Sequence, residues 1–75
     1  MRQLVGQNVR RIRTEKGMTQ EQLAEASGLS QQYLSGLENG ERNPTVITLF
    51  EVAQALHVSH EALVAVPRRG KSAKR

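Results

Sequence analysis

The sequence predicts an all-α fold, a compact bundle of five helices, and three observations lead there. Apolar residues recur at intervals of three and four over most of the chain, the period of a helix with one buried stripe. Ser, Thr or Asn precedes these runs and Gly or Pro follows them, which is how short helices are capped and stopped. Residues 19–39, TQEQLAEASGLSQQYLSGLEN, read as two short helices held at a fixed angle by a three-residue turn, and the rest of the chain is arranged about that pair.

The first helix covers residues 2–16. Val5, Val9 and Ile12 share one face with Leu4 beside them. Lys16-Gly17 ends it, since a cation favours the negative end of the helix dipole and Gly supplies the exit conformation. Gly6 lowers local helix propensity by about 1 kcal/mol relative to Ala, so either the helix frays there or another backbone packs closely. The second helix opens on a capping box, Thr19 with Gln22, stapled by Met18; Leu23 and Ala24 face inward, and Gly28 stops it in the left-handed conformation. Leu29 fills the corner. Ser30 caps the third helix, in which Leu34 and Leu37 share the inward face while Gln31, Gln32, Ser35 and Gly36 point elsewhere. Asn39-Gly40 closes it.

After the polar turn at 41–44, the fourth helix starts with Thr45 as its cap or with Asn43 as cap and Pro44 as first helical residue. Val46, Leu49, Phe50, Ala53 and Leu56 are its expected core stripe. Its β-branched residues do not make it a strand, because the cap and the sustained period outweigh them. Ser59 caps a fifth helix through about residue 65, with Ala62 and Leu63 apolar and Pro67 as its stop.

At 75 residues the chain makes one domain, residues 1–67, and a basic tail, RRGKSAKR at 68–75, expected to be disordered because it holds no apolar residue larger than Ala. So small a core gives modest stability unless the chain dimerises. The absence of Cys removes disulfides and thiolate metal sites. No apolar run reaches the length of a membrane span, and the basic first residues are not followed by a signal-type apolar core, so a cytoplasmic location is expected. The net charge of +4 is unevenly spread: residues 1–16 carry +4, residues 17–67 carry −5 and residues 68–75 carry +5. An evenly solvated surface would not separate this way, so the basic ends are candidate phosphate contacts, with a purely solubilising role as the alternative for the tail.

Catalysis and metal binding have little to stand on. His57 and His60 share a helix face only if one helix runs through Val58 and Ser59, and no acidic or thiol ligand is placed to complete a site, so no metal or cofactor is expected. Ser27, Ser30 and Ser35 read as turn, cap and surface residues, because no His lies near them in the motif. An enzyme is not expected.

The order Gln20, Leu23, Ala24, Gly28, Leu29, Leu34, Leu37 and Glu38, followed by Asn39-Gly40 and by Asn-Pro-Thr at 43–45, resembles the phage repressor and Cro-like helix-turn-helix proteins, the xenobiotic response element family. The resemblance extends over roughly residues 5–66. It implies a lambda repressor-like DNA-binding domain whose third helix enters the major groove of double-stranded operator DNA. Gln31 and Gln32 are then the expected base contacts, with Ser35 one turn on, because amides bond adenine bidentately and reach guanine acceptors. Gln20 is the expected phosphate ligand at the start of the second helix. Arg10, Arg13, Asn39 and Arg42 are further candidates for the DNA backbone, and Tyr33 either lies along the sugar-phosphate or packs against the neighbouring turn.

The resemblance also implies an ion pair, Arg13 with Glu38, between the ends of the first and third helices. Gly36 departs from members that carry a long polar side chain there, which implies fewer base contacts in the C-terminal half of the helix. One short helix reads few base pairs, so a homodimer is expected, with Val58, Leu63, Val64 and Val66 as its interface. The implied function is transcription regulation, as a repressor or a restriction-modification controller. The alternative class is a protein-interaction module or an antitoxin, with a partner protein in place of, or beside, DNA.

Overall fold

The computed structural model describes residues 2–66, which form five helices: α1 (Arg2–Glu15), α2 (Gln20–Ser27), α3 (Gln31–Glu38), α4 (Val46–Leu56) and α5 (His60–Val64). α1 lies against α3 and α5, α2 against α3 and α4, and α4 against α5. Val5, Val9 and Ile12 of α1 meet Leu23, Leu34, Leu37, Val52, Ala53, Leu56 and Leu63 in one core. The tail at 68–75 and the stop at Pro67 lie outside the described residues.

Gly6 does not fray α1. A Cβ there would collide with the Leu37 carbonyl oxygen and lie 3.0 Å from that of Glu38, so the missing side chain lets the backbones of α1 and α3 approach directly. The end of α1 follows from Gly17, whose positive φ of 71° turns the chain so that the Met18 amide donates to the Arg13 carbonyl at 3.0 Å. At α2, Thr19 accepts from the Gln22 amide while the Gln22 side chain accepts from the Thr19 amide, a complete capping box. Thr45, not Asn43, caps α4, through a 3.1 Å bond from the Thr48 amide.

Two expectations about the apolar surface require correction. In α4 the stripe that meets the core is Leu49, Val52, Ala53 and Leu56, while Val46 and Phe50 are exposed. At about 100° per residue Phe50 lies on the next stripe round from Ala53, and Val46 stands in the first turn, where the core has ended. In α5, Leu63 is fully buried among the core residues, so it has no surface to give a second chain; Val58 and Val64 are half-buried against the same core, and only Val66 of the expected interface set is exposed.

α5 is held by a residue that the periodic pattern passes over. Asn8 lies in the buried stripe of α1, and its amide nitrogen donates to the carbonyls of Leu63 at 2.9 Å and Ala65 at 2.8 Å. These are terminal carbonyls that a five-residue helix leaves without partners of its own. Arg11 donates in turn to the Asn8 amide oxygen at 3.2 Å. Ser59 makes no side-chain cap bond, so the anchoring of α5 comes from Leu63 and Asn8 instead.

Candidate nucleic-acid interface

The orientation of α3 is fixed from below. Leu34 and Leu37 are buried, Gly28 turns the chain between α2 and α3 with φ 78°, and Ser30 caps the new helix by accepting from the Tyr33 amide at 2.9 Å. With that face inward, Gln31 and Gln32 in the first turn of α3 are exposed, and Ser35, one turn on from Gln31, is half-buried. The two amides therefore stand at the free N-terminal end of a short helix, able to donate and accept on an opposing edge.

The far end of α3 is tied down by a polar cluster. Glu38, 8 % exposed, accepts from Arg13 Nε at 2.7 Å and from a terminal Arg13 nitrogen at 3.0 Å, a bidentate pair. The other terminal nitrogen of Arg13 donates to the Met18 carbonyl at 2.9 Å, and the Gln20 amide donates to Glu38 at 3.2 Å. The hydrogen bonds that Arg13 donates to Glu38 raise its pKa above the ordinary value; burial opposes this and is outweighed. Arg13 thus sits as the Glu38 partner, with all three nitrogens engaged inside the joint of α1, α2 and α3, and has little surface for a phosphate. Gln20, half-buried, links the start of α2 to the same joint.

Of the remaining candidates, Arg10, Asn39 and Arg42 are exposed. Tyr33 packs partly against the core, and the guanidinium carbon of Arg42 lies 5.4 Å from the centre of its ring, so the tyrosine is sandwiched rather than free. Gly36 points away from the core as expected, and is buried only because Arg42 folds back over it. His57 closes α4 in the left-handed conformation, φ 60°, whereas His60 opens α5 with its ring 4.5 Å from that of Phe50, so the two do not share a helix face. Among the described residues no three His, Cys, Asp or Glu side chains cluster as a metal site, and no helix is long and apolar enough to cross a membrane. Sequence reasoning missed Asn8 as the clamp on α5; the signal was its position between Val5 and Ile12 on the buried stripe.

A family model for the helix-turn-helix, HTH_3, matches residues 9–63. The chain belongs to this family of DNA-binding transcriptional regulators. It is 67 % identical over 64 residues to an uncharacterized HTH-type transcriptional regulator, y4dJ, of Sinorhizobium fredii, a match covering 85 % of this chain and 83 % of that protein. It is 42 % identical over 59 residues to the control protein C.SmaI of Serratia marcescens, covering 79 % and 70 % of the two chains. Its fold superposes on the restriction-modification controller protein C.AhdI of Aeromonas hydrophila with a TM-score of 0.80 at 39 % identity, over 83 % of this chain and 94 % of that one. Within a family of transcriptional regulators, the pair α2 and α3 is the helix-turn-helix, and double-stranded DNA is the family's partner.

Proposed function

We propose that the chain is a sequence-specific regulator that binds operator DNA as a dimer, with α3 lying in the major groove. The observation that carries this reading is the orientation of α3: its apolar face is buried through Leu34 and Leu37, and its first turn presents two exposed glutamines. Gln31, Gln32 and Ser35 face base edges, and Gln20, Arg10 and Asn39 face the sugar-phosphate, while Arg42 lies over Tyr33 at the end of α3. Such a regulator works in the cytoplasm, where its DNA is.

The second copy is expected on α4. Val46, Ile47 and Phe50 are 67, 71 and 49 % exposed on neighbouring turns of that helix, an apolar face on a small monomer. α3 packs on α1 and α2, whereas α4 packs on α2 and α5, so pairing through the outer face of α4 leaves the glutamines of α3 free. Two copies of α3 then lie about 34–36 Å apart, one turn of DNA.

The experiment is selection from a random duplex pool, followed by binding to the enriched operator and to a scrambled duplex over a salt series. Gln31→Ala and Gln32→Ala should each lower operator affinity by about 1–3 kcal/mol and relax discrimination at one base pair, with the salt slope unchanged, since neither glutamine displaces counterions. Arg10→Ala should weaken both duplexes alike and reduce the slope by about 1 per subunit. Equal loss on both duplexes for the two glutamine variants would show that α3 does not read bases. Absence of any enriched sequence would favour the protein-interaction or antitoxin reading.

A further inference from the structure

α3 contains no Lys or Arg, and its outward row stops short, because position 36, one turn beyond Gln32, is a glycine. The space is filled nonetheless. A Cβ on residue 36 would lie 3.1 Å from Arg42 Cγ, 3.2 Å from Arg42 Nε and 3.7 Å from Arg42 Cδ, so the side chain of Arg42, four residues beyond the end of the helix, lies where a residue-36 side chain would. The loop that carries it is fastened to α3 itself: the Glu41 amide donates to the Gly36 carbonyl at 2.8 Å and the Gly40 amide to the Leu37 carbonyl at 3.1 Å. Gly40, φ 77°, makes the turn. Beyond Gly36 the guanidinium lies over the Tyr33 ring, its carbon 5.4 Å from the centroid.

We infer that Arg42 is a base-reading residue, placed by Gly36 and Tyr33 to continue the row begun by Gln32, and that it recognises a guanine. Arg42 can read a base only if α3 is the recognition helix, as proposed above. A phosphate contact needs only a cation near the backbone, which a freely moving loop side chain supplies. Here the stem of Arg42 is laid along the helix face that meets the bases, and the ring beneath it restricts the planar fork before DNA arrives. That fork matches the O6 and N7 acceptors of guanine in the major groove. Gly36 therefore does not shorten the reading surface; it gives the outer position to a residue from the following loop.

The test uses the full chain and the selected operator, with every base pair varied singly, over a salt series. Arg42→Ala should relax preference at one G·C pair beyond those relaxed by Gln31→Ala and Gln32→Ala, by roughly 5- to 150-fold. Arg42→Lys should restore the salt slope but only part of that preference, because an ammonium can reach the same acceptors yet lacks the planar fork held against the Tyr33 ring. Gly36→Ala should weaken the same preference without lowering the melting midpoint, since its Cβ pushes against a flexible side chain rather than backbone and alanine favours the helix. If Arg42→Ala lowers affinity for all duplexes equally and reduces the slope by about 1 with every preference intact, Arg42 is a phosphate contact and the inference is overturned. If the glutamine variants also leave every preference intact, the placement of α3 fails and the reading of Arg42 falls with it; preferences lost with the glutamines but kept with Arg42→Ala overturn the Arg42 inference alone.

Discussion

At the scale of single residues, Glu38 holds the most consequential position. It ends α3, is nearly buried, and accepts from Arg13 twice and from Gln20 once. Glu38→Ala leaves a desolvated guanidinium unpaired, which costs about 3–5 kcal/mol when burial is complete; the Arg13 side chain keeps 14 % exposure, which places the expectation near the lower figure. In a domain of this size that corresponds to a fall of about 10 °C or more in the melting midpoint, read by circular dichroism. An unchanged midpoint would show that the pair is solvated. Asn8→Leu is the complementary case: it keeps the volume apolar but strips two carbonyls at the end of α5 of their donor, so about 1–3 kcal/mol should be lost despite the gain in hydrophobicity. The partnership of Arg13 and Glu38 is legible in the sequence because both residues stand at positions that the motif fixes. Asn8 and Arg42 are not, for a physical reason: a polar residue within a buried stripe reads as an interruption until its distant partners are seen, and a loop side chain folding back on a helix leaves no periodic trace.

At the scale of elements, helix existence and caps follow from local chemistry, whereas the face of a helix that becomes buried depends on what lies opposite. Thr19, Ser30 and Thr45 cap as their types require, and Gly17 and Gly28 close α1 and α2. α4 shows the limit. Its apolar residues fill two overlapping stripes, and the helices packed against it, chiefly α2 and α5, decide that Val52 goes in and Phe50 stays out. Gly6 is a sharper case, because propensity and packing oppose each other there. Gly6→Ala should gain about 1 kcal/mol as an isolated helix substitution, but the new Cβ meets backbone carbonyls that cannot move without parting α1 from α3. Urea unfolding should therefore show net destabilisation, and a stabilised variant would mean that the two helices do not approach as described. The opposite sign is expected at His57, where a side chain occupies a left-handed position, φ 60°, that ordinarily costs a residue with a Cβ about 1–2 kcal/mol. His57→Gly should raise the unfolding free energy by up to that amount, less the greater flexibility glycine gives the unfolded chain; a loss of stability would show that the imidazole makes contacts worth more than the strain.

At the scale of the whole molecule, the question is how so short a reading surface reaches useful specificity, and the apolar residues left on α4 bear on the answer. Hydrophobic periodicity assigns Val46 and Phe50 to the monomer core and passes over Ile47, so the surface that the three residues form is hidden in the sequence. The structure separates two roles that spacing alone confuses: Leu63 has no exposure and belongs to the core, whereas Ile47 is 71 % exposed and lies outside it. The two positions should therefore respond differently to the same substitution. Leu63→Lys buries an ammonium without a partner and should unfold the chain, giving no information about pairing. Ile47→Lys changes only solvent-facing surface in the monomer, so its helical signal and melting at low protein concentration should match those of the unsubstituted chain. In a dimer joined through α4, however, two-fold symmetry places this residue of both copies within one interface, and two like charges there oppose association. Sedimentation should then give a monomer at concentrations where the unsubstituted chain is a dimer. Operator affinity should fall, and the slope of log affinity against log salt should approach half its former value, because one subunit brings half of the phosphate contacts. If Ile47→Lys sediments as a dimer and binds operator with an unchanged slope, the two copies meet elsewhere and the outer face of α4 has another occupant; if the unsubstituted chain is a monomer both free and on operator, the dimer itself is excluded.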